Sequence, residues 1–246
     1  MTYLRNLLTH TVGLCYDIAD PDVVKWSKAV GRTSTNLEYT LEGWNTPLKF
    51  TPGEGWYYGS AIDWAGQVLE KVTGQKLGRY MTEHIFQPLG MNNTTFRRES
   101  LQHLQRKRVE CSFRNSETGE LTEGPHPVPA APPVESGGAG LYTTAADHAK
   151  VLQALLKAST EDGLLKTQTV EEMFRPQLTE IQKAMLKAIT DAFHDAMTPE
   201  FEAGMPLDHG ISGIINMKDA PGKRRKGSMM WLGMANGHWV RYFRYS

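Results

Sequence analysis

The stretch FTPGEGWYYGS (residues 50–60) sets a Pro-Gly turn ahead of two tyrosines, then aims a short Gly-Ser link at the start of an apolar helical pattern. A tyrosine at such a junction, with backbone N–H groups close by, can act as a general base when an adjacent cation lowers its phenol pKa. Tyr58 is therefore the first chemical candidate. The competing reading of WYYGSAID (residues 56–63) is a buried aromatic turn, since Tyr-Gly before a helix commonly serves packing. Other chemistries lack their motifs: there is no GxGxxG after a strand, no GxxxxGK[ST], no HExxH and no GxSxG. The eight histidines are scattered. A lone one such as His10 in LLTHT reads as a packed or capping residue.

Charge and cysteine usage narrow the partners. Lys+Arg and Asp+Glu both number 27, so no overall electrostatic pull toward nucleic acid or anionic membrane is expected, and a small or neutral partner fits better. Cys15 and Cys111 are too few for a disulfide framework and lack any CxxC or Cys/His spacing, so structural zinc is not expected; no other metal and no cofactor is expected either. They read as free thiols of a reducing compartment. His10 and two threonines interrupt the apolar N-terminal patch before it resembles a signal peptide, and no run reaches membrane-spanning length. The expected location is the cytoplasm.

The elements that would position Tyr58 follow from periodicity. Ala61, Ala65, Val68 and Val72 predict a helix directly behind the motif, stopped at Gly74. Thr144-Ala-Ala-Asp147 has the order of a capping box with Asp in place of Glu, and Val151, Leu152, Leu155 and Leu156 continue one apolar face. A third helix is expected from about Glu180 to Met197, with Ile181, Met185, Ile189 and Phe193 spaced by four. The turn-rich stretch between the first two helices, Gly124–Gly140, reads as a domain linker or, in preference, as a long ordered loop crossing a cleft.

The period then changes. Gly210–Asn216, Ser228–Met234 and His238–Tyr245 read as strands, with Asn236-Gly237 as a type I′ hairpin turn between the last two. The basic run Lys223–Lys226 is read as a solvated hairpin turn in preference to a nuclear-import or phosphate patch. The expected picture is helices packed beside an antiparallel sheet in an α+β fold.

Five segments carry a resemblance in their order along the chain: LRNLLTHTVGL, PGEGWYYGSAIDWAGQVLEKVTG, FQPLGMNNTTF, SGGAGLYTTAADHAKVLQALL and GSMMWLGMANGHWV. Together they resemble the serine β-lactamase and penicillin-binding-protein-like superfamily, its class C-like esterase branch in particular. Within that branch Tyr-Gly-x-x-x-Asp-Trp-Ala-Gly and the Arg-Arg-Lys-Gly-Ser run look most like the fungal acyltransferases of polyketide tailoring. The resemblance implies a β-lactamase/transpeptidase-like fold forming one catalytic domain over residues 1–246. Its mostly helical lobe would lie at about 15–135 and its sheet strands at about 210–245.

The resemblance also implies a mechanism. A serine in Ser-x-x-Lys takes the acyl group from a thioester or ester, a tyrosine relays the proton, and backbone N–H groups, one on a sheet strand, stabilise the oxyanion. Tyr58 falls at the tyrosine position, and Ser60 stands where many relatives carry Asn. Trp231-Leu232-Gly233 falls where relatives place a Lys-Thr-Gly or Trp-Gly-Gly triplet, so Trp231 and Gly233 are expected to edge the groove. Leu232 and Met234 are bulkier than the usual residues and are expected to narrow the acyl channel or to distort the oxyanion site. The implied partners are an acyl thioester, free or on an acyl carrier protein, and a small hydroxyl-bearing acceptor. An esterase or lactone hydrolase shares every motif.

The nucleophile motif is missing. No serine in the chain is followed by lysine three positions on, and the two Thr-x-x-Lys runs, Thr46–Lys49 and Thr73–Lys76, hold a proline and a helix-ending glycine. Relatives carry Ser-x-x-Lys upstream of the segment that matches Leu4–Leu14, and continue beyond the final hairpin. The expectation is a chain shortened at both ends: a fragment of an acyltransferase, or a truncated relative without independent catalysis.

Overall fold

The computed structural model describes residues 2–18, 20–158, 160–233 and 237–241. Helices α1 (Leu4–Leu8), α2 (Pro21–Ala29), α3 (Leu41–Trp44), α4 (Ala61–Thr73) and α5 (Leu77–Met81) come first, with a π-helical turn at Thr82–Phe86. A small hairpin, β1 (Ser112–Arg114) with β2 (Leu121–Glu123), stands exposed on both strands within this helical region. Helices α6 (Ala145–Lys157), α7 (Thr167–Phe174), α8 (Glu180–Ala192) and α9 (His194–Met197) follow. The chain then forms strands β3 (Leu207–His209), β4 (Ile214–Asn216), β5 (Met229–Gly233) and β6 (Gly237–Arg241). They make one antiparallel sheet in sequence order.

Strand alternation explains how helices cover the sheet. Ile214 and Met230 are cross-strand partners on one face, where they pack with Leu186 of α8 and with Trp56. Ile215 and Met229 pair on the other face, against Val170 and Phe174 of α7. The helical side has its own cores: Leu7, Val12, Leu14 and Ala61 in one, and Tyr39, Trp44 and Val128 in another.

Helix ends follow their local signals. α4 runs from Ala61 to Thr73 and stops at Gly74, which takes φ 71°. Thr144 caps α6 by accepting from the Asp147 N–H at 3.2 Å. Asp147 does not complete a capping box. Its carboxylate instead accepts from Asn93 N–H and Lys150 Nζ, tying α6 to the loop at residues 90–94.

Helix faces and strand bounds differ from expectation. α4 buries Ala61, Asp63 and Gly66, while Val68 and Val72 stand exposed, because the helix is pressed against Gly137 and Leu77 on its Gly66 side. The third helix breaks at Phe193 into α8 and α9, and α8 buries Gln182, Leu186 and Thr190 rather than Ile181 and Phe193. Gln182 turns inward because it completes a capping box with Thr179 and donates to the Gly53 carbonyl at 2.7 Å. Met185 and Ile189 do line the core. The sheet begins at Leu207, a strand that periodicity overlooked, and residues 210–213 turn rather than extend, with Ser212 at φ 91°.

The loop at Gly124–Gly140 is ordered and lies on the helical side rather than across a cleft. Val128 enters the Tyr39/Trp44 core, Val134 N–H donates to the Tyr39 carbonyl, and Glu135 accepts from Gly78 N–H. The Lys223–Lys226 run does lie in the β4–β5 link, but Arg224 is not solvated: its side chain is 7% exposed, ion-paired with Glu200 and set over the Phe201 ring. β5 and β6 pair from Gly233↔Gly237 to Met229↔Arg241, so Gly237 is the first residue of β6 and not the second residue of the expected two-residue Asn236-Gly237 turn, because the register joins the strands across three positions, 234–236. Asn236, Met234 and residues 242–245 of the last expected strand lie outside the described residues.

Candidate active site

Tyr58 is held where the helical side meets the sheet. Gly59, next to it, permits this: a Cβ there would stand 2.5 Å from both Cys15 Cα and the Leu14 carbonyl oxygen, so only glycine lets the two segments touch. On the other side the Tyr57 N–H donates to the His10 carbonyl at 3.0 Å. These contacts pin the Tyr57–Ser60 strip against the segment at residues 10–15 before α4 begins.

Around Tyr58 the rings close in. Its ring centroid lies 4.9 Å from that of His10, 5.0 Å from Trp231 and 5.2 Å from Tyr16. His10 in turn stacks on Trp231 at 5.8 Å, nearly parallel, and meets His209 edge-on at 5.6 Å. The structure therefore brings together Tyr58 and Trp231, residues from opposite ends of the chain. Gly233 lies two residues beyond Trp231 on β5, on the same strand face and exposed at the hairpin end. Leu232 packs against the sheet core rather than standing free at the groove. Ser60 is fully buried at the start of α4, and its hydroxyl neither caps the helix nor has another hydrogen-bond partner among the described residues.

The electrostatics are those of a dry wall. Burial is the largest influence on Tyr58 and raises its phenol pKa above the ordinary value; Tyr16 and Trp231 act in the opposite direction and Asp63 reinforces burial. No cation among the described residues acts to lower it; Lys49 sits over the ring of the neighbouring Tyr57, 5.2 Å from its centroid. Burial likewise raises Tyr16, with Tyr58 adding to the effect. It lowers both histidines, His10 well below the usual imidazole range and His209 to about 4, so both rings are neutral at pH 7. Behind the wall Asp63 accepts from Ser136 Oγ–H at 2.5 Å and from Gly138 N–H at 3.1 Å, which fastens the SGGAG loop to α4. Burial raises that carboxyl, with the two hydrogen bonds opposing it.

Neither threonine-lysine run offers a nucleophile and base. Lys49 is ion-paired with Asp20 and Asp22; burial works to lower its pKa, but the two carboxylates outweigh this and keep the ammonium charged. Thr73 donates to the Leu69 carbonyl, and Lys76 pairs with Glu70. A cavity of about 300 Å³ opens elsewhere, lined by Arg79, Phe86, Phe96, Arg97 and Glu135 among others, and shares no residue with the Tyr58 wall.

His10, Tyr16, Trp56 and His209 escaped the sequence reading as members of this wall. His10 had one local sign: a histidine between threonines before Val-Gly, which the fold holds at φ 56° in the left-handed region. His209 had none, because the turn that brings it inward is set by the strand β3 that periodicity overlooked. No described helix is long and apolar enough to cross a membrane.

A family model described as Beta-lactamase matches residues 2–231. The monacolin J acid methylbutanoyltransferase of Aspergillus terreus (strain NIH 2624 / FGSC A1156) is 33% identical over 247 residues, covering 96% of this chain and 58% of that protein. The lovastatin esterase of Penicillium rubens is 32% identical over 241 residues, covering 94% and 58%. The unliganded selenomethionyl structure of simvastatin synthase from Aspergillus terreus superposes with a TM-score of 0.84 at 31% identity, over 98% of this chain and 60% of that one. The chain thus spans about 58% of the length of these curated relatives.

Proposed function

This chain belongs to the β-lactamase family, and from that premise we propose that it carries the tyrosine side of an acyl-transfer site. In this reading an acyl group moves from a thioester, free or on an acyl carrier protein, to a hydroxyl of a small secondary metabolite. Tyr58 relays the proton between the attacking hydroxyl and the leaving group, and the β5 edge from Trp231 to Gly233 lines the acyl groove, with Ser60 buried beneath it at the start of α4. The relatives support this chemistry by their names, an acyltransferase and an esterase of fungal metabolites.

The observation that carries the proposal is the contact between Tyr58 and Trp231 at 5.0 Å. The family motifs single out both residues, and they approach from opposite sides of the fold. A raised phenol pKa suits a relay that stays protonated at rest, donates to the leaving group and is recharged by the incoming hydroxyl.

The test is product analysis with an acyl thioester and an alcohol acceptor on a longer chain that supplies the Ser-x-x-Lys nucleophile these residues lack. Ester formation is expected, with Tyr58→Phe slowing it by about 10²-fold or more. An unchanged rate in Tyr58→Phe would return the residue to a packing role. Release of free acid instead of ester would make the protein an esterase. A further reading is favoured by the lack of any Ser-x-x-Lys in the sequence: a binding module that keeps the groove without the nucleophile. It predicts neither ester nor acid, and no labelling by a serine-directed phosphonate.

A further inference from the structure

The first turn of α4 holds a carboxylate that no cation neutralises. Asp63 is 1% exposed, as is Ser136, and Asp63 forms no ion pair among the described residues. Its partners are dipoles instead. Oδ1 accepts from Ser136 Oγ–H at 2.5 Å and from Gly138 N–H at 3.1 Å, and Ser136 Oγ accepts in turn from Ala139 N–H at 2.9 Å. The donors run one way, from Ala139 N–H through the Ser136 hydroxyl to Asp63, so Ser136 commits its one proton to the carboxylate. As the third residue of α4, Asp63 also meets the positive end of the helix dipole. These contacts favour the ionised acid, against the pull of burial.

The loop packs tightly over this charge. A Cβ on Gly138 would stand 2.9 Å from Asp63 Oδ2, and one on Gly137 2.8 Å from the Ile62 carbonyl oxygen, so loop backbone lies directly on the acid and its neighbour. Tyr39 closes the far side, its hydroxyl donating to the Ala139 carbonyl at 3.3 Å. A charge buried in this way is weakly screened and acts on the aromatic groups around it. It disfavours the phenolate forms of Tyr58, Tyr16 and Tyr39. The other titratable groups against Tyr58 are Tyr16 and His10, with His209 beyond His10. Both imidazoles are neutral at pH 7, so the charge felt at Tyr58 is that of Asp63.

We propose that Asp63 is a positioning residue for Tyr58: a buried carboxylate, clasped by the loop at residues 136–140, whose negative charge keeps the proton on the tyrosine hydroxyl. A lysine or arginine partner would cancel the field of the carboxylate. Dipolar donors stabilise the charge and leave its field standing, which is what Ser136 and Gly138 supply here. The part this plays in acyl transfer rests on the reading of Tyr58 as the relay; the clasp and its charge do not.

The experiment uses the whole chain with ¹³C at tyrosine Cζ and aspartate Cγ, as wild type, Asp63→Asn and Ser136→Ala. Asp63→Asn keeps an acceptor oxygen for Ser136 and Gly138 but carries no charge. At one fixed pH of about 10.5 its ratio of phenolate to phenol at Tyr58 should exceed that of the wild type by about threefold or more. Ser136→Ala keeps the charge and loosens the clasp: Ala139 amide exchange at neutral pH should quicken by about tenfold or more, while the Tyr58 ratio moves less than in Asp63→Asn. No change at Tyr58 in Asp63→Asn overturns the proposal. A change as large in Ser136→Ala makes the effect one of packing and overturns it too. Should Asp63→Asn fail to fold, the wild type decides. As the pH is lowered, the Cζ signals of Tyr58, Tyr16 and Tyr39 should step together at the midpoint of the Asp63 Cγ signal, a midpoint told apart from those of the His10 and His209 rings. No step at that midpoint, or an Asp63 still protonated at about pH 8, overturns the proposal. None of these readouts needs acyl transfer, so failure of the ester assay is distinguishable from failure here.

Discussion

The close approach at Gly59 makes the strongest test of how Tyr58 is held. In Gly59→Ala the new Cβ would meet Cys15 Cα and the Leu14 carbonyl oxygen at 2.5 Å, and Leu14 carbon at 2.7 Å. All three are backbone atoms, so no rotamer change relieves the clash. The residue 14–15 segment would have to retreat by about 0.9 Å to recover ordinary contact, which pulls Leu14 and Cys15, both buried, out of their packing. Overpacking of this kind costs about 1–3 kcal/mol, and more where backbone moves. At about 2–4 °C per kcal/mol for a chain of this size, the melting temperature should fall by roughly 5–10 °C. Gly163→Ala is the control, since a Cβ there meets nothing within 4 Å and its backbone is not left-handed; it should melt with the wild type. Thermal unfolding followed by circular dichroism reads both. If Gly59→Ala melts within a degree or so of wild type, the tight junction is not what places Tyr58, and the geometric basis of the candidate site is lost with it.

Three further outcomes follow from the electrostatics. Arg32→Met should cost about 3–5 kcal/mol in urea unfolding, because it leaves Asp17 buried without the guanidinium now 2.7 Å away, and Asp17→Ala in the same chain should recover part of the loss. Tyr16, Tyr39 and Tyr58 all have phenols raised by burial, so the stability they lend is fully present below the unfolded phenol value near 10. It is lost as pH rises beyond that value; urea midpoints between pH 8 and 11 should therefore fall, and less steeply in Tyr58→Phe. His10 and His209 are held below the unfolded imidazole value of 6.5, His209 at about 4. Their contribution is complete above 6.5 and lost as pH falls, by roughly 1 kcal/mol per pH unit for His209 with His10 acting in the same direction, and acid titration of the melting temperature between pH 6.5 and 4 checks it. Asp63, raised by burial, works against that loss near the lower end.

How much was legible before folding can be seen residue by residue. Gly74 as a helix stop and Thr144 as a cap were readable because each acts on its own neighbours through backbone geometry. The strands β4, β5 and β6 were readable in outline, and the family resemblance put Tyr58 and Trp231 in one site before any contact was known. The inward faces of α4 and α8 were not readable from apolar spacing. In α8 a glutamine is buried because it has the Gly53 carbonyl to bond, and in α4 an aspartate is buried because Ser136 and Gly138 reach it. A periodicity of apolar residues cannot see a polar group whose partner lies far along the chain.

The sequence by itself determined the family, the antiparallel sheet with its flanking helices, the candidate tyrosine, and the lack of a Ser-x-x-Lys nucleophile within these residues. The tertiary structure alone decided the environment of that tyrosine. It placed Lys49 over Tyr57 and committed it to two aspartates, and folded His10, Trp56 and His209 into a neutral wall behind Tyr58. The physical reason is that pKa values and side-chain contacts depend on what burial removes and on which distant groups arrive, and both are set when the residue 10–15 segment, the Tyr57–Ser60 strip and the sheet close on one another.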